Sequence, residues 1–248
     1  MHHDHHDRMR ALAWSALTHR SWNHLIVSLV AVGCTTAAHA ARPMLTDDAR
    51  VVEAGACQVE SWAMVQVGVR ELWALPACGA GRGIEWSLGA QQSRVAHPGA
   101  TGFSGLAQYK RLLRDLQAGS VGVAAAVGSV LNENAQALPY LYLPISWMSR
   151  DERALVHLNI GRASKPHGIL EERTWGLGLE QQLTPSLWVI AERNSPSSSQ
   201  WQVQAGLRWW VVEGQLQLDA TTGQQHRAAG PSARFTSMGL RWIFPRPF

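Results

Sequence analysis

From about residue 55 onward, apolar and polar residues alternate with a period of two over most of the chain. In one such stretch, Trp201, Val203 and Ala205 alternate with Gln202 and Gln204. This alternation places apolar side chains on one face of a β-strand and polar side chains on the other. Helical spacing is scarce in the same region, so the pattern predicts an all-β protein.

We predict twelve strands, most of them nine to thirteen residues long. Such strands are longer than those of globular sheets and match the roughly 9–11 residues that a tilted strand needs to cross a membrane. The connections alternate between short and longer ones, which is typical of outer-membrane barrels. We therefore predict a closed antiparallel transmembrane β-barrel in the bacterial outer membrane, with a soluble β-sandwich as the alternative. The predicted strands are 57–68, 71–78, 83–92, 103–114, 119–131, 139–149, 154–163, 174–183, 186–194, 200–211, 214–220 and 234–244.

The start of the chain predicts an export signal. Several arginines precede a short apolar run over residues 25–32, and Ala38 and Ala40 form a small-x-small cleavage pattern. Met9 is an alternative start, and lipoprotein processing at Cys34 is an alternative fate. The predicted division is a Sec signal peptide over 1–40, a periplasmic segment over 41–56 and the barrel over 57–248.

After cleavage only Cys57 and Cys78 remain, because Cys34 leaves with the signal. Two cysteines in an oxidising compartment favour a disulfide over a zinc site. Both flank the first predicted hairpin and reach the same rim of the barrel, so we predict a Cys57–Cys78 bond. The histidines of the mature chain are far apart in sequence, and no metal site is predicted.

Composition narrows the functional classes further. Only 16% of residues are charged, and the net charge of +4 comes from scattered arginines, so no nucleic-acid surface is predicted. A mean hydropathy of −0.12 argues against a multi-pass helical membrane protein. No glycine-rich phosphate loop is present, and no cofactor is predicted.

In a membrane barrel the polar face of each strand points into the lumen. Both signs of charge occur on that face, which predicts either structural ion pairs across the lumen or a constriction that selects solutes. Twelve strands permit a narrow pore or a plugged barrel. The charged and titratable side chains predicted to face the lumen and to bind solute are Glu60, Glu85, Lys110, His157, Glu180, Glu192, Arg208, Asp219 and Arg241.

Three functions compete. A passive channel or transporter for small solutes is the first, and a closed structural or interaction barrel is the second. The third is a lipid-modifying barrel enzyme, but the only His-x-Asn segment, at His157 and Asn159, faces inward and lacks a nearby serine. We therefore predict a protein without catalytic residues. Its expected partners are outer-membrane lipid, an unknown small solute, and the barrel-assembly machinery through the last strand, which ends in Phe248.

The stretch 42–49, Arg-Pro-Met-Leu-Thr-Asp-Asp-Ala, followed by 55–60, Gly-Ala-Cys-Gln-Val-Glu, resembles the exported family named for the MetA pathway of phenol degradation. Met44 stands where that family has leucine. The resemblance implies an outer-membrane barrel that passes aromatic or other hydrophobic compounds. Asp47 and Asp48 then belong either to a segment packed at the barrel mouth or to a solvated acidic turn.

Export should remove residues 1–40 and leave Ala41 as the mature N-terminus. The mass of the intact protein purified from outer membranes measures this directly. Ala40→Trp should block cleavage, because the processing site needs a small residue before the cut. A mature chain that begins at a lipid-modified Cys34 would contradict the prediction.

Overall fold

We describe the fold from a computed structural model, which covers residues 44–96, 99–166, 168–227 and 232–245. The predicted signal peptide and Phe248 lie outside these described residues. All the predicted strands fall within them.

The described chain forms twelve β-strands, each paired antiparallel with its neighbours along the sequence. The first strand also pairs with the last, in a register that runs from Cys57 opposite Phe244 to Gln66 opposite Phe235. The sheet therefore closes on itself and leaves no unpaired edge. The predicted all-β closed barrel of twelve strands is confirmed. The strands are β1 Cys57–Gln66, β2 Val69–Gly81, β3 Ile84–Val95, β4 Thr101–Arg114, β5 Val121–Leu131, β6 Ala137–Met148, β7 Ala154–Lys165, β8 Gly168–Gln182, β9 Leu187–Ser197, β10 Gln200–Val212, β11 Leu216–Arg227 and β12 Ala233–Phe244.

The two faces of the sheet have opposite polarity. On β7, His157 and Asn159 are buried in the interior, whereas Leu158 and Ile160 are 38% and 44% exposed on the outside. The same inversion recurs around the barrel, where exposed leucine, valine and tryptophan side chains cover the outer face. Because such a surface is stable only in contact with lipid, the barrel is an outer-membrane protein. In the part of the chain that is described, no helix is long and apolar enough to span a bilayer.

The connections between strands do not show the predicted contrast in length. Each has between two and six residues, at both ends of the barrel. The long loops predicted over 164–173 and 221–233 are instead mostly extensions of β7, β8 and β11. Residues 221–227 are polar on both faces, and in 168–173 two apolar residues are followed by three charged ones. Neither stretch therefore carries an alternation signal, although both pair with neighbouring strands. These extensions lie where both faces of the sheet meet water.

The Cys57–Cys78 disulfide is formed, as predicted. The two residues are direct cross-strand partners at the start of β1 and near the end of β2. β12 ends at the same rim, since Phe244 pairs with Cys57. Because an exported barrel with an even number of strands keeps both termini on the periplasmic side, we refer to this rim as the periplasmic end and to the opposite rim as the extracellular end.

Tryptophan near the end of a membrane strand typically belongs to a girdle at the membrane surface. The sequence places four tryptophans near predicted strand ends, namely Trp73, Trp147, Trp201 and Trp209. Trp147 and Trp209 are exposed on the outer face and fit this role. Trp73 does not, because it points inward and stacks on Trp62 with ring centroids 5.2 Å apart. The inner face of β2 also carries Leu75 and Ala77, so the polarity of its residues does not show which face of the strand points inward.

Replacing Cys57 and Cys78 with serine should lower the free energy of unfolding by up to about 3 kcal/mol, the chain-entropy value for a loop of this length. The shift of the unfolding midpoint in urea measures the loss. The folded fraction at each urea concentration is read from the gel mobility of unboiled samples, with boiled samples as the unfolded reference. Reduction of the wild type should reproduce the effect. An unchanged midpoint would show that the strand pairing already supplies all of this constraint.

Candidate functional site

All nine side chains predicted to face the lumen are buried in the barrel interior. Eight of them lie in its periplasmic half, where Glu85 is the second residue of β3 and Arg241 lies three positions before the end of β12. Glu192 lies at the middle of β9. Their part in solute binding stays a prediction. The set consists of Glu60, Glu85, Lys110, His157, Glu180, Glu192, Arg208, Asp219 and Arg241, each less than 9% exposed.

The segment that precedes the first strand also lies inside the barrel. Sequence reasoning placed residues 41–56 in the periplasm, whereas the described part, residues 44–56, crosses the interior and contacts the inner faces of several strands. Met44 and Ala49 are 1% and 0% exposed. We call residues 44–56 the inner segment. Of the two roles considered for its aspartates, a solvated acidic turn is excluded.

Lumen side chains hold the backbone of the inner segment. The two carboxylate oxygens of Glu192 accept hydrogen bonds from the amides of Leu45 and Thr46, both at 2.8 Å. The Glu192 carboxylate also accepts from the side-chain amide of Gln204 at 2.6 Å. Three N–H donors, from the inner segment and from the wall, therefore converge on this buried carboxylate.

Three other strands contribute further anchors. The Asn159 side chain accepts from the amide of Asp47 and donates to its carbonyl, each at 2.7 Å. The Ser146 hydroxyl accepts from the amide of Ala49 at 2.9 Å. Closer to the periplasmic rim, Glu85 accepts from the amide of Val52 at 2.8 Å. These contacts satisfy backbone donors that have no strand partner inside the barrel.

Glycines on the inner wall make room for the inner segment. A Cβ atom on Gly178 would lie 2.5 Å from the terminal methyl of Met44, and one on Gly176 would lie 2.7 Å from the Thr46 hydroxyl. At Gly79 a Cβ would meet the carbonyl oxygen of Glu53 at 2.1 Å. Larger residues at these positions would push the segment away from the wall.

The carboxylate of Asp47 is the electrostatic centre of the inner segment. It lies 2.9 Å from the ammonium nitrogen of Lys110 and accepts a 2.7 Å hydrogen bond from the hydroxyl of Tyr142. Lys110 is 2% exposed, so its charge depends on this partner. Asp47 therefore explains the buried lysine that the strand pattern predicted.

A second network runs along the wall from β6 to β11. The Ser146 hydroxyl lies 2.8 Å from Nδ1 of His157, whose Nε2 lies 3.2 Å from a carboxylate oxygen of Glu180. The guanidinium of Arg208 then joins Glu180, at 2.5 Å, to Asp219, at 3.0 Å. Both carboxylates thus share one arginine, and the predicted lumen charges form ion pairs.

A third group is formed where the barrel closes. Nε and Nη2 of Arg241 on β12 donate to the side-chain oxygen of Gln58 on β1, at 3.0 and 2.6 Å. The carboxylate of Glu60 lies 3.8 Å from Nε of the same guanidinium. This group supports the junction of the first and last strands.

Sequence reasoning did not select Ser146, Asp47 or Gln204 as members of the site. Ser146 could have been found by parity, because it shares the inward face of β6 with Tyr142 between exposed apolar residues. Asp47 was considered for a segment packed at the barrel mouth, but no periodic pattern shows that a segment outside the strands enters the lumen. Gln204 lies in a strand whose polar face was recognised, but as an uncharged residue it was not singled out.

The arrangement of Ser146, His157 and Glu180 has the order of a hydrolase triad. Ser146 is nevertheless fully buried, and its hydroxyl is occupied by the amide of Ala49. Phospholipid would approach from the outer face, on the other side of the sheet. These three side chains therefore serve to hold the inner segment and the wall together, and we assign them no catalytic role. Among the described residues, no group of three or more histidine, cysteine, aspartate or glutamate side chains is placed to hold a metal ion.

A family model described as "Uncharacterised conserved protein UCP029691" matches residues 27–242. The chain belongs to this family. The match covers nearly the whole barrel and the inner segment. The resemblance to the MetA-pathway family is not confirmed, and no curated protein matches the chain.

Solved structures show the same fold at low sequence identity. The KdgM porin in complex with disordered oligogalacturonate has a TM-score of 0.60 and 10% identity, covering 76% of this chain and 99% of its own. The NanC porin has a TM-score of 0.59 and 8% identity, covering 75% and 98%. The COG4313 outer membrane channel from Pseudomonas putida F1 has a TM-score of 0.53 and 10% identity, covering 79% and 98%. These barrels are described as porins or channels, and this chain shares their fold.

Arg208→Gln should lower the free energy of unfolding by about 3–5 kcal/mol, because it leaves two buried carboxylates without their shared cation. Denaturant unfolding followed by tryptophan fluorescence measures the change. Adding Asp219→Asn should recover part of the loss, since one of the unpaired charges is then removed. Arg94→Gln, an exposed arginine on the outer face, is the control; an equal effect at both positions would contradict the assigned role.

Proposed function

We propose that the protein is a passive outer-membrane channel for small solutes, in which the inner segment controls passage through the periplasmic half. The shared fold with porins supports a conduit. The polar lumen supports the passage of solutes in water rather than in lipid. The inner segment divides that lumen into an occupied periplasmic half and an extracellular half lined by polar side chains.

The extracellular half suits small solutes without net charge. Its inward side chains combine amides and aromatic hydroxyls with apolar rings. Of its inward carboxylates, Glu172 is paired with Lys165, and Glu71 accepts a hydrogen bond from the indole N–H of Trp73. The Tyr140 hydroxyl donates to the side-chain oxygen of Gln108, and the Tyr142 hydroxyl lies 3.0 Å from the same oxygen. The two rings lie side by side, with centroids 6.1 Å apart. Aromatic faces beside amides can bind solutes that combine polar and ring groups. Other inward amides of this region are Gln66, Gln91, Asn194, Gln202 and Gln204.

The observation that carries the proposal is how the inner segment is attached. In the described structure residues 54–56 make backbone contacts with Gly79, whereas residues 44–52 are held by side chains of the wall. Displacement of residues 44–52 therefore breaks no strand pairing. The barrel can stay closed while the segment moves, which is what a gate requires.

The same filling of the periplasmic half favours a second candidate, a closed structural barrel. The ion pair of Asp47 with Lys110 and the contact of Val52 with Ala77 add to the stability of the occupied state. In this case the inner segment is a permanent plug. A channel requires that the inner segment leaves the lumen, whereas a closed barrel requires that it stays. A measurable conductance therefore distinguishes the channel from the closed barrel.

The remaining expectations from the sequence belong to the same proposal. Residues 1–40 direct export through the Sec pathway, and the strand that ends in Phe248 is recognised by the barrel-assembly machinery. The nine predicted lumen residues line the path of the solute. The MetA-pathway resemblance implies that the solutes include aromatic or other hydrophobic compounds.

A disulfide between the inner segment and the wall should block conduction. Thr46→Cys and Gly176→Cys place the two Cβ atoms about 3.4 Å apart, close to the spacing of natural disulfides. In planar bilayers, the oxidised double variant should pass at least tenfold less current than the wild type. Reduction should restore it.

The single variants and the reduced wild type are the controls, since reduction also opens the native Cys57–Cys78 bond. If the wild type conducts and the oxidised variant conducts equally, the inner segment is not the gate. If the wild type carries no current where the KdgM porin does, the closed barrel is correct.

A further inference from the structure

A groove of about 590 Å³ lies on the outer, membrane-facing surface of β8 to β12. Most of the side chains that line it have the outward parity of their strands, so it is separate from the lumen. Its apolar lining includes Leu179, which pairs with Ala191, and Leu177, which pairs with Arg193. Arg193 and Arg234 lie at its extracellular side.

Small residues create the floor of the groove. Ala205 on β10 pairs with Ala191 on β9 and with Thr222 on β11, so three neighbouring strands present short side chains in one row. Larger side chains, such as Leu179 and Val203, stand beside this row. The depression is therefore built into the strand register. It runs across the membrane-facing sheet, where a lipid acyl chain can fill it.

The arginines stand one row closer to the extracellular end. Arg193 pairs with Val203 in the ladder, and Arg234 pairs with Gln224 two strands farther on. The two arginine strands are three positions apart in the barrel, which is roughly 14 Å. Two guanidinium groups at this spacing, above an apolar groove, match a lipid with anionic groups on an extended headgroup.

Aromatic rings fix the position of the first arginine. Its guanidinium carbon lies 5.8 Å from the ring centroid of Trp175 and 5.4 Å from that of Trp201. His226, the cross-strand neighbour of Trp201 on β11, stacks on the Trp201 ring with centroids 5.3 Å apart. Tryptophan in such a row marks the boundary between hydrocarbon and headgroups. Arg193 is thus held at headgroup level of the extracellular leaflet.

We propose that this groove binds a phosphorylated glycolipid of the extracellular leaflet, of the lipid A class. One acyl chain lies over Ala191 and Ala205, while Arg193 and Arg234 bind phosphate. The row of Trp201 and His226 faces the sugar. The site rests on the outer-membrane location and the observed orientation of the strands, and it does not require that the barrel conducts.

Native mass spectrometry of the purified barrel in detergent tests the site with added lipids. Diphosphorylated lipid A should bind at least tenfold more tightly than its dephosphorylated form and than phosphatidylglycerol. Arg193→Gln combined with Arg234→Gln should remove this preference. Ala205→Leu should weaken both forms of lipid A, because it fills the floor of the groove.

Matched controls are available on the opposite side of the barrel. Arg94→Gln removes an exposed outward arginine near the extracellular end of β3, and Ala90→Leu enlarges an outward alanine of the same strand. Both should leave binding unchanged, and every variant should keep the gel mobility of the folded barrel. If the double arginine variant does not fold, the test is the comparison of lipid A binding by Ala205→Leu and by Ala90→Leu.

Equal binding of the phosphorylated and dephosphorylated forms would overturn the proposal, as would equal losses in the groove variants and their controls. Binding of phosphatidylglycerol as tightly as lipid A would overturn the assignment to a glycolipid. None of these results depends on conductance, so failure here and failure of the channel proposal are distinguishable.

Discussion

Charges buried inside a narrow barrel need partners, and this requirement shapes the periplasmic half of the molecule. Lys110 lies almost fully buried beside Asp47, and Arg208 lies between Glu180 and Asp219. An unpaired charge in this position would cost several kcal/mol. The wall and the inner segment therefore form one electrostatic unit, although only the wall is part of the sheet.

The inner segment extends the same rule to the backbone. A chain that enters a lumen without joining a sheet brings amide groups that need acceptors. Glu192, Asn159, Ser146 and Glu85 supply these acceptors from four different strands. Such attachment by separate side chains allows a segment to leave without unzipping a strand ladder, which connects the packing of the lumen to its proposed gating.

The outer face obeys a different constraint, since it must match the bilayer at each depth. Leucine and valine cover the middle of the sheet, and Trp147, Trp201 and Trp209 lie toward its ends. Arg193 is accommodated because it lies at the extracellular boundary between two tryptophan rings. The row of small residues below it leaves space in an otherwise filled surface, and this combination distinguishes the groove from the rest of the outer wall.

The sequence alone determined the strands, their facing and the disulfide. Period-two alternation depends on neighbours two positions apart, so the inward orientation of His157, Arg208 and the other lumen residues could be predicted locally. It failed where polarity stops alternating, as in residues 168–173, and where the inner face is apolar, as at Trp73. Only the tertiary structure showed the inner segment in the lumen and the pairing of Asp47 with Lys110, 63 residues apart. Such contacts depend on which residues the closed barrel brings together, and no periodicity along the chain encodes that distance.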